Sequence, residues 1–159
     1  MELHKLDTET QVFFYEQDFY VLSNFSAFSV CWAGKRFPTS EHLYHWLRFA
    51  THNTDVAKHI AEMILEAPSA HEAFKIAQEF KKHQRPDWDE VKTRLMKNVL
   101  LSKATQHEYV RRKLLGTGDR ELVEDSWRDD FWGWGPNRAG KNMLGKLWME
   151  VRADLRAEQ

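Results

Sequence analysis

Between residues 39 and 87 the chain carries helix-start signals in close succession, at Thr39-Ser40, Thr54, Ser69 and Asp87. A hydroxyl or short carboxylate ahead of a periodic apolar run accepts the free N–H groups that open a helix. Ser69-x-x-Glu72, which follows Pro68, and Asp87-x-x-Glu90 add the acidic partner of a capping box. Starts at this spacing dictate a layer of ordinary-length helices. One begins at Pro38-Thr39-Ser40 and carries Leu43, Trp46 and Leu47; others run from Thr54 to about Glu66, Ser69 to about Phe80 and Asp87 to about Ala104.

The flanks are different. From Val12 to Phe37 aromatic and β-favouring residues dominate, and Ala33-Gly34 between Phe28-to-Trp32 and Lys35-to-Phe37 reads as a hairpin turn. After the middle layer, His107 to Leu115 forms a short helix closed by Gly116, and Glu121 to Glu124 a strand. Asp129-Asp130-Phe131-Trp132-Gly133-Trp134-Gly135 does not fit a regular helix, whereas Met143, Leu144, Leu147, Trp148 and Val151 restore helical spacing. The expected class is α+β: one mostly helical domain over residues 1–159, with a small N-terminal strand and hairpin region and no internal repeat.

With 23 Lys+Arg against 24 Asp+Glu, bulk attraction to a long nucleic acid is not encoded, although a local basic pocket is compatible with these numbers. No apolar run approaches the roughly 20 residues of a membrane helix. The first ten residues lack the order of a secretory signal, and the lone Cys31 excludes an internal disulfide, so a reducing cytoplasm is the expected compartment. A small buried thiol in a strand is the expected setting for Cys31. Phe, Trp and Tyr make up 13% with seven Trp, more rings than core filling alone requires. Trp46 and Trp148 are expected in the core; Trp88, at the margin of core and solvent, and Trp132 are the candidates to stack on a ligand.

Glu41, His45 and Arg48 lie four and three residues apart and so share one helical face, an acid, an imidazole and a guanidinium on one surface. A solvated face with an ordinary ion pair explains the same spacing equally well. His42 and His45 do not make a zinc site, because no third ligand stands nearby and the pattern is not His-Glu-x-x-His. Neither a metal nor another cofactor is expected. The segment from Gly135 to Gly145 offers backbone N–H groups, Arg138 and Lys141 just before a helix, an arrangement that holds phosphate as readily as it makes a basic surface loop.

Ser23-Asn24-Phe25, Gly34 through His42, Trp88 through Met96, Leu122-Val123-Glu124, Asp129-x-x-Trp132-Gly133 and Gly140-x-Asn142-x-Leu144-Gly145 together resemble the NADAR, or YbiA-like, family, over about Phe13 to Leu155. The resemblance implies an α+β fold and N-glycosidase activity on a ribose C1–N bond. Its known substrates are ribosylamino-pyrimidine phosphates of riboflavin biosynthesis and ADP-ribosylated guanine. By motif position it makes Glu41 the acid/base, gives Asn24 and Asp129 to ribose or water, and sets Trp88, Trp132 and Gly133 at the pocket. Asn142 would position the glycone, and Lys35 would stabilise charge or form a Schiff base with opened ribose. Where relatives often carry Gln and Lys, this chain has His45 and Arg48, which bears on substrate choice.

Departure of a base leaves ribose oxocarbenium-like, which calls for a proton on the leaving nitrogen and a positioned water. Glu41 serves either need, and an ionisable Asp129 close by would favour a split of roles. A Lys35 nucleophile would need burial or a cation such as Arg36 to keep its amine neutral. The expected partner is a phosphorylated ribosyl metabolite or an ADP-ribosylated base, with nucleic acid entering only as modified substrate, no membrane and no obligate protein partner. The alternatives are an ADP-ribosyl-guanine hydrolase and a non-catalytic module that holds ADP-ribose or a nucleotide.

Overall fold

Thr39, Thr54 and Ser69 each sit in extended backbone at the head of a helix, their hydroxyl oxygens accepting from the N–H of His42, Ala57 and Glu72. A computed structural model describes residues 7–14 and 20–158. In chain order it contains β1 (Gln11–Phe14), β2 (Val30–Trp32), β3 (Lys35–Phe37), α1 (Ser40–Ala50), α2 (Asp55–Leu65) and α3 (Ala70–Glu79). There follow α4 (Trp88–Gln106), α5 (Glu108–Leu115), β4 (Glu121–Glu124) and α6 (Met143–Ala157), with single 3-10 turns at Tyr20–Leu22 and Lys81–His83. The mixed α+β class and the helical middle agree with the sequence. Residues 15–19 of the strand-rich stretch lie outside the described residues.

The start of α4 differs in detail from expectation. Arg85 donates from Nε and from a terminal nitrogen to the two carboxylate oxygens of Asp87, at 2.6 and 2.9 Å. The Asp87 carboxyl is held below its ordinary range by that bond to Arg85, and the Arg85 guanidinium is raised by the same bond. The carboxylate that was expected to cap the helix thus anchors the preceding turn.

The chain forms two compact units. In Ala27–Gln106, helix α1 packs against α2, α3 and α4. Phe49, Ala57, Ile60, Ala61, Ile64, Ala67, Ala73 and Ala77 make one buried cluster. The alanines let α1, α2 and α3 approach closely, while each fully buried Phe or Ile stabilises by about 1.5–3 kcal/mol. The β2–β3 hairpin is antiparallel, with Val30 opposite Phe37. Its turn has Ala33 and Gly34 both at positive φ, as a two-residue hairpin of this hand requires. Gln106, at the end of α4, completes the edge of β2: its amide accepts from the Cys31 N–H at 2.7 Å and donates to the Cys31 carbonyl at 2.9 Å. The Cys31 thiol is exposed, in contrast to the buried setting expected, because on this short strand it alternates outward from buried Val30.

The second unit joins the described residues up to Ser26 to the described residues from His107 onward. Its β1 and β4 pair in parallel, Gln11 with Glu121 through Phe14 with Glu124. Helix α6 packs on β4, and fully buried Trp148 donates its indole N–H to the Leu22 carbonyl at 2.9 Å, which satisfies the one polar atom of a core ring. Trp46, in the other unit, is only half-buried, its ring edge-on to Phe37 at 5.2 Å. No helix among the described residues is long and apolar enough to cross a membrane.

Candidate active site

Helix α1 is buried on almost every face, yet it carries Glu41, His42, His45 and Arg48. Burying such groups is costly unless each finds a partner, so their bonds define what the helix is for. Thr39 donates its hydroxyl to His42 Nδ1 at 2.8 Å, and His42 Nε2 donates to the Ala67 carbonyl at 3.0 Å. Both nitrogens of this fully buried ring are therefore engaged, and burial pushes its pKa below the ordinary 6.5, only partly offset by the Ala67 carbonyl. His42 ties the head of α1 to the end of α2 and is structural.

Glu41 occupies the first turn, where the N-terminal dipole of α1 favours a carboxylate. Its Oε1 lies 2.5 Å from His45 Nε2. Arg48 in turn lies 3.0 Å from His45 Nδ1 through one terminal nitrogen, while its Nε and other terminal nitrogen donate to Gln84 Oε1 at 3.1 and 2.7 Å. Burial lowers the Arg48 pKa from its ordinary value, opposed by the fields of Tyr44, Glu41 and Asp89; an arginine nevertheless remains a cation and a donor only. The His45 ring stands between Tyr44 and Phe74, with centroids 5.0 and 6.0 Å away. Among the described residues, none donates to Glu41 Oε2.

The sequence placed Glu41, His45 and Arg48 on one face, and the structure joins them in one chain of contacts. It gives His45 and Arg48 a different orientation from the substrate-facing one expected: both His45 ring nitrogens, and every guanidinium nitrogen of Arg48, meet protein groups. Gln84, which closes the chain, carried no signal in the sequence, standing in the connection between α3 and α4 without a motif. Trp88 is 3% exposed, not marginal as expected, with its ring 5.1 Å from Tyr44 and the Arg48 guanidinium 5.7 Å from its centroid. It braces Arg48. Lys35 is exposed on β3, so it lacks burial, one of the two ways in which a lysine amine is kept neutral. Among the described residues no cluster of His, Cys, Asp and Glu could hold a metal ion.

The loop of the other unit is held by its own groups. Asp129 Oδ1 accepts from the N–H of Phe131 and Trp132 at 2.9 and 2.8 Å. The N–H groups of Gly140, Lys141, Asn142, Met143 and Leu144 bond to the carbonyls of Trp134, Asp130, Gly133, Phe131 and Trp132. The donors expected to cradle phosphate ahead of α6 are thus already committed. The exposed Arg138 and Lys141 side chains remain, resting over the Trp134 and Phe131 rings at 5.3 and 5.6 Å. Trp134 also contacts Phe13 and donates to Asp125, so it pins the loop. Trp132 is half-buried and edge-on to Phe131 at 4.8 Å.

Asn142 is buried; its oxygen accepts the Glu124 N–H and its nitrogen donates to the Leu122 carbonyl, both at 2.9 Å. Its amide joins α6 to β4 in place of the sugar contact the sequence suggested. Gly133 is required by close packing, since a Cβ there would lie 2.9 Å from the Asp129 carbonyl oxygen. Asn24 is buried beside the tight turn in which Ser26 donates its hydroxyl to the Ser23 carbonyl at 2.7 Å.

Both units fall within the match to a known family. The model of the NADAR domain family matches residues 13–156, running through both units. An N-glycosidase of Nostoc punctiforme is 38% identical over 91% of this chain and 92% of its own length. The N-glycosidase YbiA of Escherichia coli is 33% identical over 96% of this chain and 92% of its own. A riboflavin biosynthesis protein of Vibrio vulnificus is 36% identical over 92% of this chain, which spans only 39% of that longer protein. The NMR structure of Escherichia coli YbiA superimposes with a TM-score of 0.82 at 35% identity, covering 96% of this chain and 89% of the other. The chain belongs to the NADAR domain family and, like its relatives of similar length, is an N-glycosidase.

Proposed function

We propose that this enzyme hydrolyses the ribose C1–N bond of a phosphorylated ribosylamino-pyrimidine, with Glu41 as the acid/base. The observation that carries the reading is the division of labour within one carboxylate: Oε1 is held by His45, while Oε2 takes no bond from a described residue. A carboxyl fixed at one oxygen and free at the other is oriented for proton transfer without having to be reorganised during the reaction. The riboflavin biosynthesis names of the Vibrio vulnificus protein and of a chloroplastic Zea mays protein, 32% identical over 146 residues, favour the pyrimidine substrate.

Bond cleavage sends the C1–N electron pair to the departing nitrogen and leaves positive charge on the ribose ring. Protonated at Oε2, Glu41 delivers its proton to that nitrogen; as the carboxylate it then takes a proton from the water whose oxygen bonds to C1. The carboxylate charge also stabilises the oxocarbenium-like ring between these events.

The test supplies wild type and Glu41→Gln with a ribosylamino-pyrimidine phosphate and, separately, an ADP-ribosylated guanine oligonucleotide, and follows the released base by mass spectrometry. Release from the pyrimidine alone, abolished in the variant, is expected. Release from the guanine substrate alone would transfer the same chemistry to ADP-ribosyl-guanine hydrolysis. Tight ADP-ribose binding without any release would make the chain a binding module.

A further inference from the structure

His45 lies between two groups of opposite demand. Arg48 presents N–H to Nδ1 at 3.0 Å, and arginine has no lone pair to offer in return. Nδ1 must therefore be the accepting nitrogen, and the ring proton sits on Nε2, directed at Glu41 Oε1 2.5 Å away. An Nδ1–H tautomer, or an imidazolium with protons on both nitrogens, would set two donors head to head against Arg48. Arg48 cannot rotate away freely, because Nε and its second terminal nitrogen both donate to Gln84 Oε1 and its guanidinium lies 5.7 Å from the Trp88 ring centroid.

We propose that Arg48, anchored by Gln84, fixes the His45 proton on Nε2 and so reserves Glu41 Oε1 as a permanent acceptor, leaving Oε2 as the one oxygen that exchanges protons with substrate and water. His45, Arg48 and Gln84 are positioning residues; none touches the reacting atoms. The proton balance follows from the geometry. A proton on Oε1 would face a nitrogen that already carries one, so a protonated Glu41 holds its proton on Oε2, where it is available to the leaving nitrogen, and regains one there from the attacking water. Without Arg48 the imidazole can turn donor at Nδ1, and the second oxygen loses its exclusive role.

The catalytic consequence rests on Glu41 being the acid/base; the direction of the donor chain does not, and the two are tested apart. Long-range nitrogen–proton correlation spectra of the substrate-free wild type at neutral pH read the His45 tautomer directly, with His45→Gln identifying its signals. A pyrrole-like Nε2 and a pyridine-like Nδ1 are expected. A proton on Nδ1, or on both nitrogens, would overturn the proposal whatever the enzyme's substrate, and this measurement on wild type needs no variant beyond the one that identifies the signals.

In turnover, His45→Gln keeps an N–H toward Glu41 and an oxygen toward Arg48, and is expected to retain kcat within a few-fold. His45→Leu, with comparable bulk and no donor, is expected to lose roughly ten- to a hundredfold in kcat with little change in KM, the size of effect that a misplaced catalytic group produces. Full activity in a folded His45→Leu, or equal loss in both variants, would overturn the positioning role. An inactive wild type with the expected tautomer would contradict the acid/base reading of Glu41 and leave the donor chain standing.

Discussion

A Cβ added at Gly145 would stand 2.0 Å from the carbonyl oxygen of Leu122 and 2.6 Å from both polar atoms of the Asn142 amide. The first turn of α6 can lie on β4 only because residue 145 has no side chain. Gly145→Ala forces either the helix or the strand to move, since the obstacle is backbone. The variant is expected to be destabilised by at least about 3 kcal/mol, roughly 6–12 °C in Tm for a chain of this size, as read by urea and thermal unfolding. Wild-type stability in Gly145→Ala would contradict the close approach of α6 to β4.

Asn142 makes the complementary bond to the same strand. Removing its amide leaves the Leu122 carbonyl and the Glu124 N–H without their partners, at about 1–3 kcal/mol for each buried group. Asn142→Ala is therefore expected to lose about 2–6 kcal/mol in chemical denaturation. A folded variant of unchanged stability that has lost only substrate affinity would restore the sugar-positioning role read from the sequence.

Asp129 separates loop structure from chemistry. Asn at this position keeps an oxygen for the N–H groups of Phe131 and Trp132, whereas Ala does not. Asp129→Asn is expected to retain stability and Asp129→Ala to lose about 1–2 kcal/mol, measured by denaturation. Comparing base release by the two variants then tells whether the negative charge matters: activity retained by Asn and reduced by Ala assigns the residue to the loop, and activity lost in both with the Asn variant fully stable assigns its charge to the reaction.

His42 makes stability depend on pH. Its pKa in the folded chain lies below the ordinary 6.5 because burial disfavours the imidazolium. The unfolded chain therefore binds the extra proton first. The stability this residue contributes is complete above about pH 6.5 and is lost as pH falls below that value toward the folded-state pKa. Urea unfolding of wild type between about pH 7.5 and 5 is expected to show declining stability, and His42→Gln a shallower decline. Parallel curves for the two proteins would show that His42 is not the titrating group.

Local signals in the sequence carried much of the fold. Thr39, Thr54 and Ser69 declared three helix starts because a cap acts within one turn, and Ala33-Gly34 declared the hairpin because positive φ is a local demand. The parallel pairing of β1 with β4 was not legible, since its register joins residues as far apart as Gln11 and Glu121. At the site, the common face of Glu41, His45 and Arg48 follows from helical spacing. The direction in which His45 and Arg48 point does not, because it depends on Gln84, brought alongside by the turn between α3 and α4. The pairing within the loop before α6 was illegible for a related reason. Its glycines and basic residues suit a phosphate site, but its N–H groups close on carbonyls of the same loop, a pairing that composition does not encode.

The proposed bond cleavage depends on the carboxyl of Glu41. The most direct measurement is single-turnover base release from a ribosylamino-pyrimidine phosphate by wild type and Glu41→Gln, with substrate binding to both followed by calorimetry. Gln preserves the size of the side chain and can still accept from His45, but it cannot exchange the proton. The rate in Glu41→Gln is expected to fall by at least about a hundredfold, within the range general acid–base catalysis contributes, with binding retained within a few-fold. A correctly folded Glu41→Gln enzyme that releases base at the wild-type rate would contradict that dependence.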